Sequence, residues 1–374
     1  MSSEKTKDLE SVDIMVNMGP QHPSTHGVFR MVLWVDGERV VELEPHIGYL
    51  HRGSEKISES EIYPQVVTLF DRLDYLSNLN NEMAFCLAVE KLMEIEIPKR
   101  ADYVRMILCE LNRISSHMLF YGTMGLDAGA MTPIMYGFRE RERIQDFFQS
   151  VTGARMMHNY IQIGGLREEP PNGFQKQLRE MLPKLEKSVE ECDQLLTLNE
   201  VFLSRSRDIG IINGTDALEF GLTGPCLRAS GIAEDIRFTE PYSLYDEVDF
   251  NLPIGVTGDT WDRYVIRIAE MRESIKIIYQ LLQLLPDKGE TKASGIRLIP
   301  RPPKGESFAR VENPRGDLGV YLVSDGGDKP YRVKVRAPSF ANLQALRKMS
   351  VGSYVADVVM ILGSLDIVLG EVDR

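Results

Sequence analysis

The sequence predicts an α+β fold, a mainly helical body with small antiparallel β elements near the N-terminus and in the C-terminal third. Three observations predict it. Residues 13–45 carry β-branched runs on either side of Asp36-Gly37, the pattern of two strands joined by a tight hairpin. From about residue 57 to 285, apolar residues recur at helical spacing over long segments. Alternation returns after residue 306 in SFARVEN, GVYLVSD and YRVKVRA, before helical spacing resumes over 340–365.

DIMVNMG and VFRMVLWVDGERVVELEP read as the first strands. In the body, ADYVRMILCELNRISSHMLFYG places Val104, Ile107, Leu108, Leu111, Ile114 and Met118 on one helix face. Thr132-Pro133 reads as N-cap and first helical position and Gly153 as the stop, bracketing PIMYGFRERERIQDFFQSVT. Helices are also expected at 173–200 and 260–285, the latter with Ile268, Ile275, Ile278 and Leu282 inward. Residues 286–306, rich in Pro, Gly and Lys without clear periodicity, read as a linker or exposed loop. Four regions result: an N-terminal extension with its β-rich segment (1–56), a helical body (57–285), the linker (286–306), and a β-plus-helix region (307–374) that packs back on the body. The strands near the two ends, separated by helices, are candidates to pair in space. No internal repeat is visible.

A length of 374 residues suits two to three domains or one large domain with additions. The composition, 43% hydrophobic and 26% charged, is that of a globular protein with a sizeable core. With 43 Lys+Arg against 55 Asp+Glu, the net charge of −12 and the lack of a basic stripe exclude a general nucleic-acid binder. Cys86, Cys109, Cys192 and Cys226 form no CxxC pair and lie in or near apolar sequence, so they read as buried thiols in a reducing compartment. MSSEKTKDLESVD lacks the apolar stretch of a secretory signal. The most apolar run, VADVVMILGSLDIVLG, contains Asp357 and Asp366, which makes it a poor membrane span. By itself the chain is expected to be soluble or peripheral.

Four short stretches concentrate reactive side chains. MGPQHPSTHG (18–27) holds His22 and His26, two of only six histidines. Their i, i+4 spacing would suit a metal on a helix, but Pro23 and the flanking glycines disfavour a helix and no cysteine completes a zinc pattern. A tight loop pointing one imidazole into a cavity is the better reading, because neutral imidazole both donates and accepts hydrogen bonds and passes protons near neutral pH. A histidine satisfied by backbone groups suits His22 better than His26. EPHIGYLHRGSEK (44–56), with His51, Arg52 and Glu55, reads by itself as a solvated turn. In TLFDRLDYLSNLNNEMAF (68–85), Arg72, Asp74 and Tyr75 interrupt an amphipathic helix start, and a tyrosine there belongs to the core or to chemistry. In YGTMGLDAGAMTP (121–133), Asp127 is the only charge of a Gly-, Ala- and Met-rich loop, either making an Asx turn or meeting a partner in a cavity. Residue chemistry alone leaves these alternatives close to even. Neither GxGxxG nor a P-loop occurs, so nucleotide binding by this chain is not expected.

These stretches, with FRERERIQDFF, MMHNYIQIGG, GLTGPCLRASG, RIAEMRESIKII, YLVSDGG, YRVKVRAPSFANLQ and SLDIVLGEVDR, resemble the quinone-site (D-type) subunits of respiratory complex I, NADH:quinone oxidoreductase. The resemblance runs from about residue 12 to the end, and that family is related to the large subunits of nickel–iron hydrogenases. It implies a hydrogenase large-subunit-like fold. Hydrogenases hold their metals with two CxxC pairs. Here Asp74, Ser77, Val368 and Glu371 occupy the four cysteine positions, within RLDYLS and DIVLGE. Carboxylate and hydroxyl in place of thiolates make a poor nickel–iron site, so no metal is expected.

The resemblance further implies that the vacated pocket takes quinone, with His26 and Tyr75 at its two carbonyl oxygens, Asp127 paired with His26, and His22 counted with the quinone-binding residues as the one that shapes the presenting loop. Because the chain has no cluster motif, electrons would come from an iron–sulfur cluster in a partner subunit. Arg52 and Arg72 match positions beside that cluster, where a cation tunes its potential. No cofactor is expected on this chain alone. Implied partners are the iron–sulfur subunit, other peripheral-arm subunits and the membrane-arm subunit at the quinone entrance. The implied location is peripheral, on the cytoplasmic side of a plasma membrane or the equivalent side of an organelle inner membrane or thylakoid. Coupling to proton translocation comes with the family, although no pumping element is seen here.

Two departures from the family pattern stand out. Met157 in RMMHNY replaces a histidine that lies against the cluster in many members. Losing that imidazole should lower the cluster potential and its pH dependence, which favours menaquinone or plastoquinone over ubiquinone. Second, residues 286–301 replace a longer, histidine-bearing insertion with a short polar linker. Two alternative readings remain open, a ferredoxin- or deazaflavin-dependent relative with the same site and a non-catalytic scaffold. The retained His26, Tyr75 and Asp127 speak against the scaffold. Gly19 and Gly27 would allow the 18–27 loop to shift as substrate enters.

Overall fold

The computed structural model describes residues 13–374. The stretch read above as lacking a secretory signal lies almost wholly outside the described residues. The chain opens with β1 (Ile14–Met18), a 3₁₀ turn (Pro23–Thr25), β2 (Arg30–Asp36) and β3 (Arg39–His46). Helices follow: α1 (Ser54–Ser58), α2 (Tyr63–Phe70), α3 (Asn78–Met93), α4 (Lys99–Asp127) and α5 (Thr132–Thr152). After the small ribbon of β4 (Ile161–Gln162) and β5 (Gly165–Leu166) come α6 (Phe174–Leu196), α7 (Glu200–Ser204), α8 (Gly214–Glu219), α9 (Pro225–Ala229), α10 (Ile236–Thr239) and the long α11 (Thr260–Leu284). The chain ends with β6 (Gly305–Asn313), β7 (Gly316–Ser324), β8 (Arg332–Arg336), α12 (Pro338–Leu343), α13 (Leu346–Ser350), α14 (Val355–Leu365) and α15 (Leu369–Asp373). The α+β class with a mainly helical body is thus observed.

The two end sheets share no strand pairing, although β3 meets the 352–355 segment through an isolated Arg39–Tyr354 bridge. Each closes on itself as a three-stranded antiparallel sheet, β1-β2-β3 and β6-β7-β8. The reason is local. Asp36 pairs with Arg39 and Asn313 with Gly316, so two-residue turns join neighbouring strands, and short loops close at far less entropy than a sheet spanning the body. The sheets also face different cores. Met31, Leu33 and Val35 pack with Leu346, Val358, Ile361 and Leu365 of α13 and α14. Val311, Val320 and Val333 instead join the core of the helical body.

Helix α4 runs through the centre of that body. The six residues read as its apolar face are all buried, and so are Arg105, Glu110, Arg113 and His117 elsewhere on the helix. Amphipathic spacing predicts one wet face; α3, α5 and α11 cover the middle of the helix on every side and leave only its two ends partly open. The buried charges find partners instead. Glu110 accepts hydrogen bonds from Arg113 Nε (3.2 Å), Tyr245 Oη (2.6 Å) and Ser274 Oγ (2.6 Å).

Three local expectations change. The segment read as a loop at 121–133 is helical as far as Asp127, and only 128–131 turns. Its small residues serve helix contact: a Cβ on Gly122 would lie 2.9 Å from Ile134 Cα, and one on Gly125 would lie 2.6 Å from Pro133 Cβ. The helix expected to start around Arg72 is broken, because α2 ends at Phe70 and α3 begins at Asn78. Asn81 ties the intervening turn down by donating Nδ2–H to the carbonyls of Phe70 (3.0 Å) and Asp74 (3.1 Å). Thr132 is the first residue of α5, with Met131 before it, while Gly153 stops the helix at φ 79° as expected. The 286–306 segment has no helix, and strand β6 begins only at Gly305. All four cysteines are buried and unbridged.

Candidate functional site

The 18–27 stretch folds as a compact loop held by its own polar groups. Thr25 is buried and donates Oγ1–H to the carbonyls of His22 and Gly27, both at 2.9 Å. His22 caps the 3₁₀ turn, its Nδ1 accepting the Ser24 N–H at 3.2 Å. It therefore shapes the loop, through a ring acceptor. His26 follows in the left-handed region at φ 55°, a conformation uncommon outside glycine. Gly27, at φ 136°, lies so close to α15 that a Cβ would meet Leu369 Cδ1 at 2.9 Å.

His26 donates Nε2–H to Asp127 Oδ2 at 2.7 Å, joining residues 101 positions apart. Asp127 is the last residue of α4, where the helix dipole disfavours an anion and favours a cationic partner. Gly363 on α14 makes room for it, since a Cβ there would lie 2.5 Å from Oδ2. Burial is the largest influence on His26 and opposes its charge. The Asp127 hydrogen bond and charge, with Asp366 behind, outweigh it and raise the imidazole above its usual pKa of 6.5.

Tyr75, on the turn between α2 and α3, lines the same cavity of about 190 Å³ as His26, Asp127 and Asp366. Leu119, Phe120, Ile367 and Val368 supply apolar wall. Burial, then the Asp74 carboxylate, pushes the Tyr75 phenol upward against the pull of Arg315. Tyr75 is thus held as a hydrogen-bond donor at neutral pH.

Asp74, Ser77 and Glu371, behind the cavity, and Val368 in its wall are all buried. Arg315 fills the space between carboxylates, donating to Asp74 Oδ2 (3.3 Å), Asp366 Oδ1 (3.2 Å), the Asp366 carbonyl (3.1 Å) and Ser116 Oγ. A guanidinium amid these groups is incompatible with a metal ion in the same place, and among the described residues no three His, Cys, Asp or Glu gather to hold one.

Arg52 and Arg72 are exposed and border α15 rather than the cavity. Beside Arg52, His51 donates Nδ1–H to the Asp373 carbonyl at 2.7 Å. Gly370 packs on Arg72, where a Cβ would lie 3.1 Å from its carbonyl oxygen. Met157 stands at φ 55° two residues before Asn159, whose backbone reaches Asp71, the neighbour of Arg72. The structure thus gathers His26, Tyr75 and Asp127 at one cavity, places His22 in its loop, and leaves Arg52, Arg72 and Met157 outside it. Sequence reasoning missed Arg315 and the cavity-lining Asp366 as site residues, and named Glu371 only as one of the four residues at the hydrogenase cysteine positions. The signal for Arg315 was only a turn, ENPRGDLG, whose burial depends on elements far apart in the chain.

Fold and cavity define a class: a mainly helical α+β protein that buries an imidazole–carboxylate pair and a phenol around one small pocket. The family described as respiratory-chain NADH dehydrogenase, 49 Kd subunit, matches residues 127–374. A D-type subunit of NADH-quinone oxidoreductase from Roseiflexus sp. (strain RS-1) is 49% identical over 373 residues, covering 98% of this chain and 100% of that protein. Its counterpart from Bacillus mycoides (strain KBAB4) is 46% identical over 365 residues, with the same coverage. Another, from Solibacter usitatus (strain Ellin6076), is 47% identical over 366 residues, covering 98% of each chain. The chain belongs to this family, the D-type subunits of respiratory complex I, and is part of an oxidoreductase complex.

Proposed function

We propose that this chain forms the quinone-reduction site of a proton-translocating NADH:quinone oxidoreductase, together with a neighbouring iron–sulfur subunit. The observation that carries the reading is convergence. Tyr75 and the His26–Asp127 pair, far apart in sequence, meet at one cavity. At about 190 Å³ it lies below the roughly 300–1,000 Å³ of sites that enclose a drug-sized ligand. It suits one substituted ring, with an isoprenoid tail left outside.

Reduction of quinone to quinol takes up two electrons and two protons, and negative charge develops on both carbonyl oxygens. Tyr75 and His26 donate hydrogen bonds to those oxygens, stabilise that charge and release protons to it. Asp127 orients the imidazole and stabilises its charged form. A cluster in the partner supplies the electrons, and Arg52, Arg72 and Met157 form the surface that would face it. Met157 in place of an imidazole favours a low-potential quinone of the menaquinone or plastoquinone type. The 18–27 loop shifts to admit substrate, and the membrane-arm subunit meets the cavity mouth, which makes the chain peripheral to the membrane. No helix among the described residues is long and apolar enough to cross one.

The test is quinone reduction by the assembled complex carrying Tyr75→Phe or His26→Ala, beside NADH oxidation with hexacyanoferrate(III) as an upstream acceptor. Each variant is expected to lose about 10²-fold or more in quinone reduction while upstream transfer and assembly persist. Normal quinone reduction by both would remove the site from this cavity and leave a scaffold.

A further inference from the structure

Immediately behind the cavity wall, two cations face three carboxyl groups. Arg315 bonds Asp74 and Asp366, and Arg267 Nε stands 3.6 Å from the other oxygen of Asp366. Glu371 is the third carboxyl group. No hydrogen bond from Arg315 reaches it: the guanidinium bonds run to Asp74, Asp366 and Ser116. Its Oε2 accepts only the Ser339 N–H at 3.0 Å, and its Oε1 is buried without a partner. A carboxylate with a bare, desolvated oxygen is costly, whereas a carboxylic acid tolerates the same place.

We propose that Glu371 is the neutral acid that keeps this wall uncharged, and that its ionisation at alkaline pH suppresses quinone reduction by acting on Tyr75. The inference rests on the quinone-site reading above. The geometry supplies the link. Gly370, the residue before Glu371, packs on the tyrosine, where a Cβ would lie 3.4 Å from Tyr75 Cε1. The charged and titratable groups around Glu371 are Asp74 on the α2–α3 turn, Arg315 on the β6–β7 turn, and Asp366 and Tyr75 across Arg315. From α12 only Ser339 reaches it. Burial first, then the Asp74 charge, pushes Glu371 up to about 8, against the pull of Ser339 and Arg315. Burial pushes Asp74 upward too, but Arg315 bonds it directly and opposes that shift, so Glu371 is the one that holds the proton. Below that pH the two cations balance two carboxylates. Above it the wall gains one negative charge, which opposes further negative charge on Tyr75 or on a reduced ring oxygen. Glu371 is therefore a positioning residue that sets the field at the site and does not touch substrate.

The experiment has two readouts on the assembled complex, unmodified and Glu371→Gln. Infrared spectra should show a protonated-carboxyl band that titrates at a pH of about 8 in the unmodified complex and is missing from the variant. The quinone-reduction rate at pH about 9.5 relative to pH about 7 should rise at least about 5-fold in the variant, with no such change toward hexacyanoferrate(III). An unchanged alkaline limb in Glu371→Gln, or no titrating band, overturns the proposal. If that variant fails to assemble, Asp74→Asn replaces it. Removing the Asp74 charge lowers the Glu371 pKa, so the limb should move to lower pH, and a limb that stays or moves up overturns the proposal. Loss of the limb together with normal quinone reduction by Tyr75→Phe and His26→Ala would break the quinone-site reading and this inference's action through Tyr75. A persistent limb in a complex that Tyr75→Phe inactivates would break this inference alone.

Discussion

Among the described residues two histidines donate a hydrogen bond to a carboxylate, His26 to Asp127 at 2.7 Å and His117 to Glu270 at 2.9 Å, and their charge behaviour is opposite. His26 is raised above 6.5, whereas His117 is lowered below it. Contact with a carboxylate does not decide the matter. Burial is the largest influence on both, and at His117 it prevails, with the positive Arg267 adding to it. Glu270 is also claimed by Arg228, whose charge, with His117, holds it well below the carboxylate range although burial pushes upward. The side chains of His117 and Glu270 are 0% and 1% exposed, against 18% and 8% for His26 and Asp127. One pair is a neutral imidazole bonded to an ionised carboxylate inside the helical body. The other sits where protons can come and go.

The strongest way to break the contrast is at the structural pair. Glu270→Ala leaves Arg228 and His117 buried without their shared partner, and removing one member of a buried ion pair costs about 3–5 kcal/mol. Loss of the chain from the complex, or a steep fall in its thermal stability, is expected. Assembly at normal levels would show that the network does not hold the body together.

That network was invisible in the sequence for a physical reason. Apolar spacing marks α4 as a helix with a core face, and that face is buried as expected. Spacing assigns no role to Glu110, Arg113 and His117 and says nothing of the α11 and α9 residues that cover them. The site was more legible. His26 stood out in a loop of unusual composition, Asp127 as a lone charge, and Tyr75 only as an interruption of a helix start. The alternatives at each closed only with the resemblance, and the structure then brought the three together. Asp366, Arg315 and Glu371 meet through tertiary packing, which no local pattern encodes. The same limit explains why the end strands looked like partners: alternation identifies a strand and leaves its neighbour open.

A smaller effect sharpens the contrast from the other side. Asp127→Asn keeps a hydrogen-bond acceptor for His26 and removes the charge that raises it. Quinone reduction should fall about 10²-fold with little change in assembly. Stability should report the sign. A histidine whose folded pKa exceeds its unfolded value contributes stability that is complete below pH 6.5 and is lost as pH rises through the folded pKa. The thermal stability gap between the unmodified complex and Asp127→Asn should therefore be widest below pH 6.5 and narrow above it. His117 works in the opposite sense: kept neutral when folded, it costs stability as pH falls below 6.5. A gap that widens with rising pH would mean that His26 is not the protonated partner.

The smallest expected effect lies at His22, which shares the loop with His26 and none of its chemistry. Its Nδ1 caps an exposed three-residue turn through one hydrogen bond of 3.2 Å to Ser24. Losing a cap costs about 0.5–2 kcal/mol, and here the low end applies because water can replace the acceptor. Thr25, with two internal hydrogen bonds, still fixes the loop. His22→Ala should thus alter quinone reduction by less than about 5-fold, chiefly through KM, while His22→Asn, which restores a capping oxygen, should recover most of the loss. A kcat loss as large as that of His26→Ala, unrescued by asparagine, would place His22 at the substrate and make the loop a two-histidine device.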